Sequence, residues 1–173
     1  MAVAYLGLGS NEGRRPANLR RALRLLAKAG SVDGVSSLYE TEPQGYVAQR
    51  WFLNAACRLE TRLRPEALLA LAKEIERQMG RRDTFRNGPR IVDVDTLLYD
   101  DLVLELPHLQ IPHARMSERA FVLVPLADIA ADVIHPVLKL TVGQLQTQIK
   151  GSAEVRPWKP GIRSDHGRME GSH

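Results

Sequence analysis

Two rhythms of apolar and polar positions run along this chain, and they predict its elements. Residues 2–8 form a short apolar run containing Val3 and Tyr5, the pattern of a buried strand. The run ends in Gly7-Leu8-Gly9-Ser10-Asn11-Glu12-Gly13, a turn-rich segment. Over residues 16–28, Leu19, Leu23 and Leu26 recur at helical spacing, with arginines on the opposite side and Gly30 as the stop. Residues 32–39 predict a second strand, weakened by Gly34, and residues 51–60 a third. Arg64-Pro65-Glu66 opens an amphipathic helix with the stripe Leu68, Leu71, Ala72, Ile75 and Met79, stopped by Gly80. A further strand covers residues 91–99, entered through a Gly88-Pro89 turn. Asp100-Asp101 then turns the chain into a hairpin partner over residues 102–106. Ser117 caps a helix over residues 117–131 that bends or splits at Pro125, and Thr141 caps a last helix over residues 142–149. Beyond Gly151, prolines, charges and small residues predict a poorly ordered tail over residues 151–173, with Gly171-Ser172-His173 reading as a tag remnant. The order strand, helix, strand, strand, helix, strand fits an α+β ferredoxin-like βαββαβ sandwich with additional C-terminal helices and a hairpin strand, a single domain over residues 1–150.

The candidate chemistry centres on residues 86–99. Alternating side chains on the strand after Arg90 send Asp93 and Asp95 to one face, about 7 Å apart at Cα. Magnesium takes oxygen ligands in near-octahedral geometry and sits between one or two carboxylates and substrate phosphates. Arginines beside such a pair take the remaining phosphate oxygens through bidentate hydrogen bonds. Here those arginines are Arg90 and, on the polar loop over residues 80–89, Arg81 and Arg82. That loop offers almost nothing to a core, so it suits closure over a polyphosphate. The alternative for the acids is a solvated strand face paired with nearby arginines, and for the loop a basic surface segment. Glu76 lies beside its helix stripe near the C-terminal end, where the helix dipole disfavours an acid. That placement points to a binding role, with an ion pair to Arg81 as the alternative.

Gly88-Pro89-Arg90-x-x-Asp93-x-Asp95 resembles the signature of the 6-hydroxymethyl-7,8-dihydropterin pyrophosphokinases, enzymes of folate biosynthesis. Further motifs match in the family's order: Leu6-Gly7-Leu8-Gly9-Ser10-Asn11, Ser37-x-Tyr39-x-Thr41-x-Pro43-x-Gly45, Phe52-Leu53-Asn54-Ala55, Ile111-Pro112-His113-x-Arg115-Met116, and Arg119-x-Phe121-Val122-Leu123-x-Pro125-Leu126. Together they span residues 2–136. The resemblance implies a transferase, a diphosphokinase that moves the β,γ-diphosphate of ATP to the hydroxymethyl oxygen of the dihydropterin and releases AMP. It implies two magnesium ions on Asp93 and Asp95, with Arg90, Arg81 and Arg82 completing the catalytic set. It assigns ATP to Glu76, Arg82, Arg90, His113 and Arg119. The pterin falls to Thr41, Pro43, Gln44, Gly45, Phe52 and Asn54, with Phe121 stacking from the other side and Gly7 and Gly9 as a close-packed wall. Three features depart from the pattern: Glu42 stands where the family can carry proline, Asn87 where some members have tryptophan, and the arginine loop is about one residue shorter than in some.

Composition narrows the alternatives. With 44% hydrophobic and 25% charged residues the chain is ordinary for a soluble globular protein, and its net charge of +4 suits an anionic partner. The single cysteine, Cys57, excludes an intrachain disulfide and reads as a buried, inert thiol. Gly7-x-Gly9 lacks the third glycine of a dinucleotide loop, since Glu12 stands there. Arg14, Arg15, Arg20, Arg21 and Arg24 read as the solvated face of the first helix, and His108 and His135 as structural. No apolar run approaches bilayer length and the first residues form a strand, so the expectation is a cytoplasmic monomer acting on small molecules, without nucleic acid or membrane. Two rivals remain. A magnesium-dependent nucleotidyltransferase would use the same Asp pair on the α-phosphorus, and a basic RNA-binding module would need exposed aromatics on the sheet, whereas only 5% of residues are aromatic.

Overall fold

The computed structural model describes residues 1–80, 88–149 and 154–159. Its centre is a pair of long strands, β1 (Ala2–Ser10) and β4 (Phe52–Thr61), antiparallel over their whole length from Ala2 opposite Thr61 to Ser10 opposite Leu53. β5 (Asp93–Tyr99) flanks β1 on its other side. The second predicted strand is divided in two: β2 (Gly30–Val35) pairs with the last half of β4, and β3 (Tyr39–Thr41) with its first residues. At Gly30 an added Cβ would meet the Glu60 carbonyl oxygen at 1.9 Å, so only glycine admits this strand so close to β4.

Both faces of the sheet are covered. α1 (Arg15–Leu26) and α2 (Pro65–Gln78) bury Leu19, Ala22, Leu26, Leu68, Ala72 and Ile75 against Ala4, Leu6, Leu8, Leu53, Ala55, Cys57 and Leu59. On the other face, α3 (Ala120–Ala130) and α4 (Val142–Gln148) bring Leu123, Leu126, Ala130, Val142 and Leu145 to Tyr5, Ala56, Leu97 and Leu98. A register shift in β5 opposite Tyr5 and Leu6 lets both Leu97 and Leu98 join this second core. The element order and the two-faced cover are those of a ferredoxin-like α+β fold with added C-terminal elements. Cys57 is buried, and burial pushes its thiol up to about 12, the inert state expected of it. No helix among the described residues is long and apolar enough to cross a membrane.

Five expectations are corrected. Residues 102–106 do not pair with β5; β6 (Leu104–Leu106) and β7 (Leu109–Ile111) form a separate two-stranded hairpin. Ser117 lies in a short 3₁₀ turn (Met116–Glu118), so Arg119 is the N-cap of α3, and α3 runs through Pro125 without splitting. Arg15 is not on the solvated face of α1: it is 1% exposed, whereas Arg14, Arg20, Arg21 and Arg24 are exposed. The predicted tail contains β8 (Val155–Pro157), which pairs with β3. Residues 150–153 and 160–173 fall outside the described residues. Thr141 does cap α4, through a reciprocal box in which its Oγ1 accepts from Gln144 N–H and its own N–H donates to Gln144 Oε1.

His135 holds the turn between α3 and α4. It is 6% exposed, its Nδ1 accepts the N–H groups of Val137 and Leu138, and burial lowers its pKa. Only the unprotonated nitrogen can accept. A folded-state pKa below the unfolded value means that the stability is fully present above about 6.5 and is lost as pH falls from there through the folded pKa. His135→Ala should cost roughly 1–2 kcal/mol at pH 7.5 from the two lost bonds. It should also flatten the decline in Tm between pH 7 and pH 5 relative to wild type, as followed by thermal denaturation; an equal decline in both proteins would contradict this role.

Candidate functional site

A cavity of about 320 Å³ opens at the end of the sheet where β1 finishes and β4 and β5 begin, beneath the start of α3. Strand pairing dictates what faces it. Gly9 lies between Asn54 of β4 and Asp93 of β5, and Gly7 lies between Ala56 and Asp95. Residues paired across strands share a face, so Asp93, Asp95, Gly7, Gly9, Asn54 and Phe52 all turn the same way. Thr41, opposite Phe52, joins them from β3. A Cβ at Gly9 would stand 2.6 Å from Asn54 Oδ1, so the missing side chain is what lets the amide lie across β1. Asn54 Nδ2 in turn donates to Thr41 Oγ1 at 2.5 Å, which leaves a fixed, polar patch beside the aromatic ring of Phe52.

The polar groups fall on either side of β1. Asn54 and Thr41 lie on the β4 and β3 side, with Glu42 and Gln44 following Thr41 in the chain. Asp93 and Asp95 lie on the β5 side, where Arg90 and Glu76 meet that strand and the Asp95 charge acts on His113 and Arg119; Lys73 and Phe121 also line the cavity. Arg90 Nε lies 3.8 Å from Asp93 Oδ1, with the Asp93 side chain 32% exposed and so open to ligand. Arg119 lies 5.5 Å from the centre of the Phe121 ring; burial and the neighbouring Arg115 lower its pKa, and Asp95 partly offsets this. Burial likewise lowers the pKa of His113, against the pull of Asp95, so its imidazole is neutral at pH 7. Its Nδ1 accepts from Arg115 N–H at 3.4 Å, which puts the ring proton on Nε2. Glu76 lines the cavity but turns Oε2 into the protein, where it accepts the N–H of Val94 between the two aspartates.

Most of the predicted site residues therefore converge. Thr41, Gln44, Phe52, Asn54, Glu76, Arg90, Asp93, Asp95, His113, Arg119 and Phe121 share one cavity, with Gly7 and Gly9 as its floor. Pro43 is buried and Gly45 is exposed with a φ of 78°, and neither lines it. Arg81 and Arg82 lie outside the described residues. Lys73 was not foreseen; it is an exposed lysine on a helix, with no pattern to mark it. Nor was Asn11, which organises the surroundings. It is 3% exposed; its Oδ1 accepts from Arg90 N–H at 2.7 Å, and its Nδ2 donates to Gln49 Oε1 and the Arg50 carbonyl at 2.9 and 3.0 Å. Its own N–H donates to the Arg90 carbonyl. One side chain thus joins the end of β1 to both segments that flank the cavity.

Residues 5–131 match the model of the 7,8-dihydro-6-hydroxymethylpterin-pyrophosphokinase family. The chain belongs to that family. The matched span stops short of β8. This chain is 47% identical over 133 residues to the Bacillus subtilis 2-amino-4-hydroxy-6-hydroxymethyldihydropteridine pyrophosphokinase, covering 76% of this chain and 80% of that one. It is 40% identical over 158 residues to the Dictyostelium discoideum folic acid synthesis protein FOL1, covering 91% of this chain and 24% of that protein. The chain thus spans about a quarter of the slime-mould protein. Among solved structures, the wild-type Plasmodium falciparum HPPK-DHPS crystallised with pteroate superposes with a TM-score of 0.69 at 18% identity, over 84% of this chain and 42% of that one, which establishes the shared fold.

Asn11→Ala removes three part-buried side-chain hydrogen bonds and should lower the unfolding free energy by about 2–3 kcal/mol. In urea unfolding the midpoint should fall with the m-value unchanged; a midpoint within error of wild type would show that Asn11 does not hold these segments together.

Proposed function

We propose that the chain transfers the β,γ-diphosphate of ATP to the hydroxymethyl oxygen of 6-hydroxymethyl-7,8-dihydropterin and releases AMP. The observation that carries this reading is the register of β1. It sets an aromatic and amide end, suited to a flat heterocycle with hydrogen-bonding edges, next to a paired-carboxylate end suited to a metal-bound polyphosphate, on one sheet face.

At the heterocycle end, Asn54 and Thr41 offer the acceptors and donors that a pterin edge needs, and Phe52 and Phe121 offer ring faces. Gly7 and Gly9 let the ring approach the backbone. At the other end, Asp93 and Asp95 fit magnesium by the chemistry of their donors: two carboxylates on one face, Asp95 exposed and Asp93 partly so. Among the described residues no group of three or more histidine, cysteine or acidic side chains could hold a metal ion, so phosphate oxygens and water would complete the coordination. Two magnesium ions held there would polarise the transferring phosphorus and make the hydroxymethyl oxygen a better nucleophile. Arg90 and Arg119 balance the charge of the polyphosphate, and Arg81 and Arg82 would add to it. His113, neutral and protonated on Nε2, acts as a hydrogen-bond donor to phosphate. Glu76 fixes the β5 backbone between the two aspartates, so we read it as holding the carboxylates in place as well as lining the ATP side.

A nucleotidyltransferase would use the same acids but release pyrophosphate. The RNA-binding reading loses support because helices cover both sheet faces. The test is ³¹P NMR of ATP incubated with magnesium and the hydroxymethyldihydropterin. Expected are AMP and a diphosphorylated pterin in equal amounts, with the rate lost on chelation of magnesium and lowered at least 10³-fold by Asp95→Ala (roughly 4 kcal/mol of transition-state stabilisation). Pyrophosphate release, or near-normal turnover by a folded Asp95→Ala protein, would overturn the assignment.

A further inference from the structure

The strand β8 lies beyond residues 5–131, the span of the family model, and backs β3, which supplies Thr41 to the wall of the cavity. It pairs with β3, setting Val155 against Thr41, Arg156 against Glu40 and Pro157 against Tyr39. The pairing extends past both ends of β3. Glu42 N–H donates to the Glu154 carbonyl while Glu154 N–H donates to Glu42 Oε2, and Trp158 N–H donates to the Leu38 carbonyl. Thr41 and Glu42 line the cavity.

Strand alternation sends Glu40 to the face opposite Thr41, toward α1. There its carboxylate is 5% exposed and clamped on both oxygens: Arg15 Nη2 donates to Oε2 at 2.9 Å, and Arg156 Nη2 to Oε1 at 2.8 Å. Arg15 Nη1 also donates to the Trp51 carbonyl, and the Arg156 guanidinium lies 5.0 Å from the centre of the Trp51 ring. Trp51 precedes Phe52, the ring that faces the cavity. Burial holds Arg15 down to about 10 against the pull of Glu40, a sign of how dry this cluster is. A three-residue strand paired on one side only would fray readily. With β8 on its open edge and a two-sided clamp behind it, β3 cannot shift without moving a buried charge off its partners.

We propose that β8, through Arg156, is a positioning strap for the pterin wall: it fixes Glu40 and Trp51 from behind, and thereby the side chains of Thr41 and Phe52 in front. Arg156 touches no reacting atom and acts through Glu40. The proposal rests on reading this end of the cavity as the pterin subsite. Among the described residues, β8 pairs with β3 and packs near α3, and none of its residues lines the cavity beside Asp93 and Asp95.

The test compares wild type, Arg156→Ala and Arg156→Lys in the full chain, by steady-state kinetics for each substrate and by amide hydrogen exchange at Thr41 and Glu42. Arg156→Ala keeps the Arg15–Glu40 pair and should fold. Expected are a KM for the hydroxymethyldihydropterin raised about tenfold, a KM for ATP within twofold of wild type, faster exchange at Thr41 and Glu42, and substantial recovery in Arg156→Lys. Unchanged pterin KM and exchange, or equal rises in both KM values, would overturn the strap. Should wild type show no pterin-dependent AMP, the functional reading fails instead. The exchange rates then decide the strap alone: faster exchange in Arg156→Ala upholds it and unchanged exchange removes it.

Discussion

Everything at the cavity depends on β1 being paired on both edges. Its hydrogen bonds to β4 and β5 leave it no freedom of register, and its alternation sends Ala4, Leu6 and Leu8 into the core under α1 and α2. The same alternation leaves Gly7 and Gly9 on the opposite face, where both line the cavity and Gly9 makes room for the Asn54 amide. A slip of one residue would turn both aspartates into the apolar core, where an uncompensated carboxylate is strongly disfavoured. Folding and the placement of the charged groups are therefore one event. α3 then closes the far side of the cavity with Arg119, Phe121 and Val122.

A second layer of buried polar side chains steadies the segments that carry the site. Asn11 ties the Arg90 backbone to the Gln49 and Arg50 segment. Glu76 holds the backbone between Asp93 and Asp95. Glu40 sits behind Thr41 between two arginines. On the front side, the Tyr39 hydroxyl and Ser37 N–H both donate to Asp128 of α3, tying β3 to that helix. Each of these groups is a polar residue whose partner lies on a different element, so each links elements that the hydrophobic core alone would leave free to shift by small amounts.

The sequence reveals elements long enough to show a period. The stripes of α1 and α2, the apolar runs of β1 and β4 and the alternation of β5 appear directly, and the Asp-x-Asp face follows from strand geometry alone. β3, β6, β7 and β8 are three residues long, too short for any period, so the pattern alone pairs residues 102–106 with β5 and leaves β8 within a tail. Arg15 reads with its exposed neighbours because the partners that go with its burial, Glu40 and the Trp51 carbonyl, lie 25 and 36 residues away. At the site, the convergence of Arg119 and His113 on Asp95, and of Phe121 on the same cavity, is a product of tertiary folding. Family resemblance anticipates it; spacing does not. Asn11 and Lys73 carry no local signal beyond their identity.

The central claim is that one sheet face holds two adjoining subsites, an amide and aromatic one for the pterin and a carboxylate one for the metal-bound nucleotide. Calorimetric titration of Asn54→Ala and Asp95→Ala with the hydroxymethyldihydropterin, and separately with a non-hydrolysable ATP analogue and magnesium, tests it most directly. A crossed result is predicted: Asn54→Ala loses pterin affinity and keeps the nucleotide, while Asp95→Ala loses the magnesium-dependent part of nucleotide binding and keeps the pterin. Equal loss of both ligands in both folded variants would contradict the division.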